Sequence, residues 1–239
     1  MKQNFNFLTF ILLFLSAASG IFAQPVKLTK EQLTEKSNAI YESGRQQEAI
    51  DLINEYPEFS GDVEILYVKS VAYTELRDYK NADLAFQKGF DIFLKNGTEA
   101  LAIADEYAAK KPLTKEDKEL AGLMYSTAMI SFASAELTNA LRIVAFGKNG
   151  MPEAKRQPKN LAGFDGFRNL YEQTAIKSAE LYFKNNQLKE ALADFNKAIE
   201  LDPKNAASYT GRAKVYRKLR KLKLAIADEA NARRYSSKE

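Results

Sequence analysis

The sequence predicts an all-α protein, a solenoid of antiparallel helical hairpins, and three observations carry that prediction. Ala179, Tyr182, Ala191 and Ala198 recur 34 residues later as Ala213, Tyr216, Ala225 and Ala232. Self-similarity at a fixed period of this length is the mark of stacked helical units that contact only their neighbours. Within the clearest unit, Glu172–Asn205, apolar residues fall three and four apart on both sides of the polar turn Lys184-Asn185-Asn186-Gln187, which is the helical period. Pro203 then closes the unit, because proline lacks an amide hydrogen and disfavours helix in the residue before it.

Residues 1–23 read as an export signal. Lys2 gives a positive start, Phe7 to Leu15 an apolar core interrupted only by Thr9, and Ser16 to Gly20 a small-residue stretch before Ile21-Phe22-Ala23. Cleavage is expected after Ala23, with Gly20 the second choice. The apolar run is shorter than the ~20 residues of a spanning helix. With no cysteine in the chain, a lipidated cysteine, disulfides and thiol chemistry are excluded, so packing alone must hold the exported part together.

The next elements follow in order. Residues 24–96 hold two N-terminal units: a short one from Lys30, with Gly44, Glu48, Ala49 and Ile50, ending at Pro57, and Val63–Asn96, with Tyr73, Ala82, Phe86 and Gly89. Residues 97–171 form a divergent helical segment. Gly97–Leu120 is helical in pattern but out of register and broken at Lys111-Pro112. Ala121–Ala154 fits a hairpin at Ala128, Ala140, Gly147 and Pro152, with Ser131 where Tyr is expected. Residues 147–166 carry four of the eleven glycines and two of the six prolines and are expected to be a loop. Residues 172–239 hold two C-terminal units, in which Ala179, Ala191 and Ala198 allow close helix approach while Tyr182 and Phe195 fill the space between.

Ala179-x-x-Tyr182, Glu190-Ala191, Phe195-x-x-Ala198 and Pro203 together resemble the tetratricopeptide repeat. The resemblance covers most of the chain after residue 23. In the last unit Glu229 occupies the position of Phe195 and Phe86, which suits a solvated terminal face.

The chain has no His, Cys or Trp. That removes imidazole acid–base catalysis, Ser-His-Asp and Cys-His nucleophiles, and the usual zinc ligand sets. Nothing groups the carboxylates beyond helical surface spacing, and Gly147-Lys148-Asn149-Gly150 is not a phosphate loop. The reading is therefore a non-enzymatic protein with no cofactor and no metal. Asn96-Gly97-Thr98 matches a glycosylation acceptor.

The resemblance implies a binding groove on the concave face made by the first helix of each unit. Carried onto this chain, that face presents Tyr67, Val71 and Thr74, then Ile176, Glu180, Phe183 and Lys184, then Thr210, Lys214, Arg217 and Lys218. Tyr41 joins the same face. The implied partner is a protein or peptide segment, acidic if Lys214, Arg217 and Lys218 hold a carboxylate. The carboxylate clamp of the chaperone-binding members is not reproduced, since Ile176 and Thr210 stand where lysine is needed. No nucleic-acid motif is present. From Ala206 onward there are ten Lys/Arg against three Asp/Glu, so an alternative is an envelope-surface binder. In it Arg220, Lys221, Lys223, Arg233 and Arg234 contact anionic lipid or polysaccharide. The expected location is a bacterial periplasm or the exterior.

Overall fold

The computed structural model describes residues 27–150 and 164–236. The expected export signal and its cleavage site lie outside them, as does most of the expected loop 147–166. Among the described residues there are nine α-helices, one short 3-10 turn and no strand. They are α1 Lys30–Glu42, α2 Gln46–Asn54, α3 Val63–Glu75, α4 Tyr79–Ala109, α5 Lys115–Lys148, α6 Phe164–Lys184, α7 Leu188–Leu201, α8 Ala206–Lys218 and α9 Leu222–Ser236.

Local sequence sets where these helices begin and turn. Side-chain oxygens of Thr29, Asp62, Asp78, Thr114 and Asn205 accept hydrogen bonds from first-turn amides of the helices they precede, and Thr29 and Thr114 form full capping boxes with Gln32 and Asp117. The hairpins α1/α2, α3/α4, α6/α7 and α8/α9 each turn on one residue of positive φ: Gly44 (82°), Arg77 (61°), Asn186 (63°) and Arg220 (59°). In each, the following amide donates to the carbonyl five residues back: Arg45 to Ile40, Asp78 to Tyr73, Gln187 to Tyr182 and Lys221 to Tyr216. This is the Schellman closure of a helix C-terminus. It reappears in all four hairpins although the turn residue is glycine in only one.

The small residues of the repeat pattern are the contact points. Ala49, Ala82, Ala191 and Ala225, one in the second helix of each hairpin, have no exposed surface. Phe86 and Phe195 are likewise buried. A β-carbon on Gly211 of α8 would lie 2.2 Å from the Phe195 ring, so that ring is seated directly on the glycine backbone.

The middle of the chain departs from the hairpin plan. Gly97–Ala109 continues α4 to 31 residues, and Ala121–Lys148 belongs to one unbroken helix of 34 residues rather than the hairpin expected over Ala121–Ala154. The expected turn falls on Ala133-Ser134-Ala135-Glu136, through which the helix continues, whereas the four hairpins turn there on Gly44, Arg77, Asn186 and Arg220. Of the expected loop 147–166, Gly147 and Lys148 finish α5 and residues 164–166 open α6. Gly97 lets α4 and α5 close together over Phe132, and the sequon there sits inside a helix. Phe90, Phe132, Phe167 and Tyr171 fill the resulting core with edge and tilted ring contacts at 5.4–6.1 Å.

These long helices reverse the direction of the array. The C-terminal half of α5 lies alongside α3 in the same sense, pairing the Tyr67–Ser70 level with Thr138–Leu141. Helix α6 runs the opposite way along α5: Arg168 meets Glu136, Phe167 meets Phe132, and Tyr182 meets Ser126. The first helices of the N-terminal and C-terminal hairpins therefore point in opposite directions. By length and composition alone α5 could also cross a membrane. In this fold its inner face is a packed core face that includes buried Asn139 and Arg142, the latter paired with Asp83.

Candidate functional site

The reversal divides the expected concave face into separate surfaces. Tyr67, Val71 and Thr74 come together with Tyr41 of α1 and Val144 of α5 around a cavity of about 180 Å³. Tyr67 is 45% exposed at its rim. Thr74, expected to face a ligand, has no exposed surface. Its hydroxyl donates to the Ser70 carbonyl (2.7 Å), so it closes the floor of the cavity. The cavity's acidic end is Glu75, whose Oε1 accepts from the Tyr41 hydroxyl and whose Oε2 accepts from Gln46, both at 2.6 Å. Burial, then the bond to Glu75, pushes the Tyr41 phenol above its ordinary range, so it stays a neutral donor. Two tyrosine faces and two valines make a pocket for an apolar side chain, with the spoken-for Glu75 carboxylate and the exposed Lys148 at its edge.

The other expected residues lie elsewhere. Lys184 borders a cleft of about 630 Å³ between the α6/α7 turn and the start of α5, with Lys115, Lys118, Leu123 and Tyr182. Glu180 is exposed on α6. Ile176 and Phe183 pack on the cluster of Ala179, Ala191, Phe195 and Val215, and the Lys218 ammonium lies 5.1 Å above the Phe183 ring. These two apolar residues serve the core between repeats as much as any groove. Thr210, Lys214 and Arg217 line a hollow of about 560 Å³ at the far end of the array.

Much of the basic charge there is already engaged. The Arg212 guanidinium holds both oxygens of buried Asp228 at 2.8 Å and also reaches Asn196 at 2.7 Å. Arg217 donates to Glu229 at 2.6 Å, and each keeps the other charged: the bond raises the arginine and lowers the carboxyl. Glu229, expected as a freely solvated end residue, is instead half-buried under Arg217. Lys214, Lys221 and Lys223 remain exposed.

The residues sequence reasoning missed are Glu75 and the α5 side chains, because α5 was expected to fold back on itself. Their signal was present: Leu123, Ile130, Leu137 and Val144 stand seven apart. Among the described residues no group of three or more Asp and Glu is placed to hold a metal ion.

Comparison with known proteins agrees with this architecture. Residues 179–219 match a family model described as TPR repeat, and residues 63–96 match one described as tetratricopeptide repeat. The described residues are thus all-helical and packed as consecutive helical pairs, with tetratricopeptide repeats matched at 63–96 and 179–219. Similar solved structures include MamA MSR-1 C2, at 14% identity over 86% of this chain and 95% of that one, with a TM-score of 0.29. MamA 41-end from Desulfovibrio magneticus RS-1 is 14% identical over 87% and 96%, with a TM-score of 0.28. The assembly chaperone of RpL4, Acl4 (residues 1–338), is 12% identical over 88% and 76%, with a TM-score of 0.35. No curated protein matches the chain.

Proposed function

We propose that this protein is a non-enzymatic scaffold of the cell envelope that holds a segment of another protein on the face built by α1, α3 and the end of α5. The observation that carries the reading is the cavity of Tyr41, Tyr67, Val71 and Val144, open at an exposed tyrosine and lined by repeats whose usual work is to present such surfaces. A chain without imidazole or thiol chemistry is consistent with binding rather than catalysis. The envelope assignment rests on the sequence of residues 1–23 alone. The partner segment this pocket suits is one with an apolar anchor, since both Glu75 oxygens already accept hydrogen bonds within the chain, and Lys148 at the edge favours an acidic neighbour to that anchor.

The test is retention from detergent-solubilised envelope of the source cell on immobilised full-length protein, at low and moderate salt. One protein retained at both salts, and lost with Tyr67→Ala, is the expected result. Retention of lipid or polysaccharide only at low salt, lost with Lys221→Glu and Lys223→Glu, would instead favour surface binding through the basic last repeat.

A further inference from the structure

The outward face of α5 is an uncharged ridge of unusual regularity. Leu123, Ile130, Leu137 and Val144 are 59%, 67%, 58% and 53% exposed and fall on one line at seven-residue spacing. Their flanks are mostly small or hydroxylic: Ser126, Ala133 and Ala140 on one side, Thr127, Ser134 and the partly buried Leu141 on the other. From Leu120 to Gly147 the helix carries only two charged residues, and both turn inward: Glu136 toward Arg168 and Lys197, Arg142 toward Asp83. The ridge is bounded by an exposed Glu119 at its start and an exposed Lys148 at its end.

We infer that this ridge is the interface of an antiparallel dimer, with a second copy of the chain packed α5 against α5. A two-fold axis between Ala133 and Ser134 sets Leu123 opposite Val144, Ile130 opposite Leu137 and Glu119 opposite Lys148. Every large side chain then meets a large one, and the small residues at the centre let the two backbones approach. Opposite charges meet at both ends. A parallel pairing would instead place Lys148 on Lys148 and Glu119 on Glu119, so charge selects the antiparallel register. From Glu119 to Lys148 the ridge is about 44 Å long, and at a helix width of about 10–12 Å it offers roughly 500 Å² per copy. The pair reaches about 1,000 Å², the low end for a specific interface, so the dimer is reversible. A bilayer is a poorer occupant, because a membrane-surface helix rims its apolar face with Lys and Arg, and here the rims are Ser, Thr, Ala and Leu.

The test uses the full chain in sedimentation-velocity and light-scattering runs over a range of concentrations. Wild type is expected to move from monomer to dimer as concentration rises, and Ile130→Glu to stay monomeric with an unchanged helical spectrum. Glu119→Lys and Lys148→Glu should each weaken the dimer several-fold, and the double variant should restore it. Because the chain has no cysteine, single-cysteine variants read the register directly. Ala133→Cys should cross-link to itself, while Glu119→Cys and Lys148→Cys should cross-link to each other when mixed and neither alone. A monomer at every concentration, or dimerisation indifferent to Ile130→Glu, would overturn the proposal. So would binding of the monomer to anionic vesicles that Ile130→Glu abolishes, which would make the ridge a membrane contact. Val144 and Lys148 belong to both surfaces, so Ile130→Glu, which lies outside the Tyr67 cavity, tests the dimer alone and Tyr67→Ala tests the binding site alone.

Discussion

The ring of Phe195 rests on the backbone of Gly211, its nearest atoms 2.2 Å from where a β-carbon would stand. The same relation joins Phe132 and Gly97 in the long helices, at 2.4 Å. Both rings are almost wholly buried. Gly211→Ala and Gly97→Ala should each lower stability, since overpacking costs ~1–3 kcal/mol while the better helix former returns only about 1 kcal/mol. Gly166→Ala, with nothing within 4 Å, serves as the control and should be neutral or stabilising. Urea midpoints of the three variants check this.

The four hairpin turns predict an asymmetry. Arg77 and Arg220 hold the left-handed conformation that costs a side-chain-bearing residue about 1–2 kcal/mol, while Gly44 holds it freely. Arg77→Gly and Arg220→Gly should therefore raise the thermal midpoint slightly, with glycine's extra unfolded-state freedom taking back part of the gain. Gly44→Ala should lower it by the equivalent of about 1 kcal/mol. Thermal melts of the three variants measure the sign directly.

Asp228 is the best-buried carboxylate of the last repeat, and Arg212 meets it with two parallel bonds. Asp228→Ala leaves the guanidinium without its main partner and should cost about 3 kcal/mol, the lower end for a broken buried pair because Arg212 keeps some solvent contact. Replacing both residues together with Met and Leu should recover most of the loss. The Arg217–Glu229 pair, whose arginine is exposed and whose carboxylate is only half-buried, should matter far less. A double-mutant cycle at each pair separates them.

Two carboxyls of the α6/α7 hairpin predict a pH dependence. Burial raises Asp194, although the Ser178 hydroxyl donating to it at 2.6 Å opposes the shift, and burial also raises Glu172. A carboxyl raised in the folded state binds its proton more tightly there than in the unfolded chain. Its contribution is fully present below the unfolded pKa, near 4, and is lost as pH rises through the folded value. The contribution of these two carboxyls should thus rise as pH falls from neutral toward the unfolded value near 4. Asp194→Asn should be more stable than wild type at pH 7, with the difference shrinking toward pH 4. Melting curves of the two proteins against pH give the comparison.

The fold was legible in the sequence wherever a turn residue and small contact residues coincided. Gly44 with Ala49, Asn186 with Ala191, and the echo of Tyr182 in Tyr216 fixed the hairpins because each is forced by backbone geometry or close packing. The site was legible only in part. Tyr41, Tyr67 and Val71 do meet, but Val144 and Glu75 complete their cavity, and α5 contributes as one long helix that runs straight through Ala133-Ser134-Ala135-Glu136. Nothing local in Lys184 or Lys214 tells that α6 runs against α5, since that direction is set by Phe132, Phe167 and Tyr171 packing across distant segments. The seven-residue spacing of Leu123, Ile130, Leu137 and Val144 was readable, but whether it faced the core or the solvent was decided only by packing.

The most direct test of the proposed scaffold is photo-cross-linking in the source cell, with a benzophenone amino acid placed at position 67 in one strain and at position 221 in another. A scaffold that binds through the α1/α3/α5 face gives one discrete adduct to another protein from position 67 and none from position 221. Adducts from position 221 alone, or from position 67 only to a second copy of this chain, would contradict it.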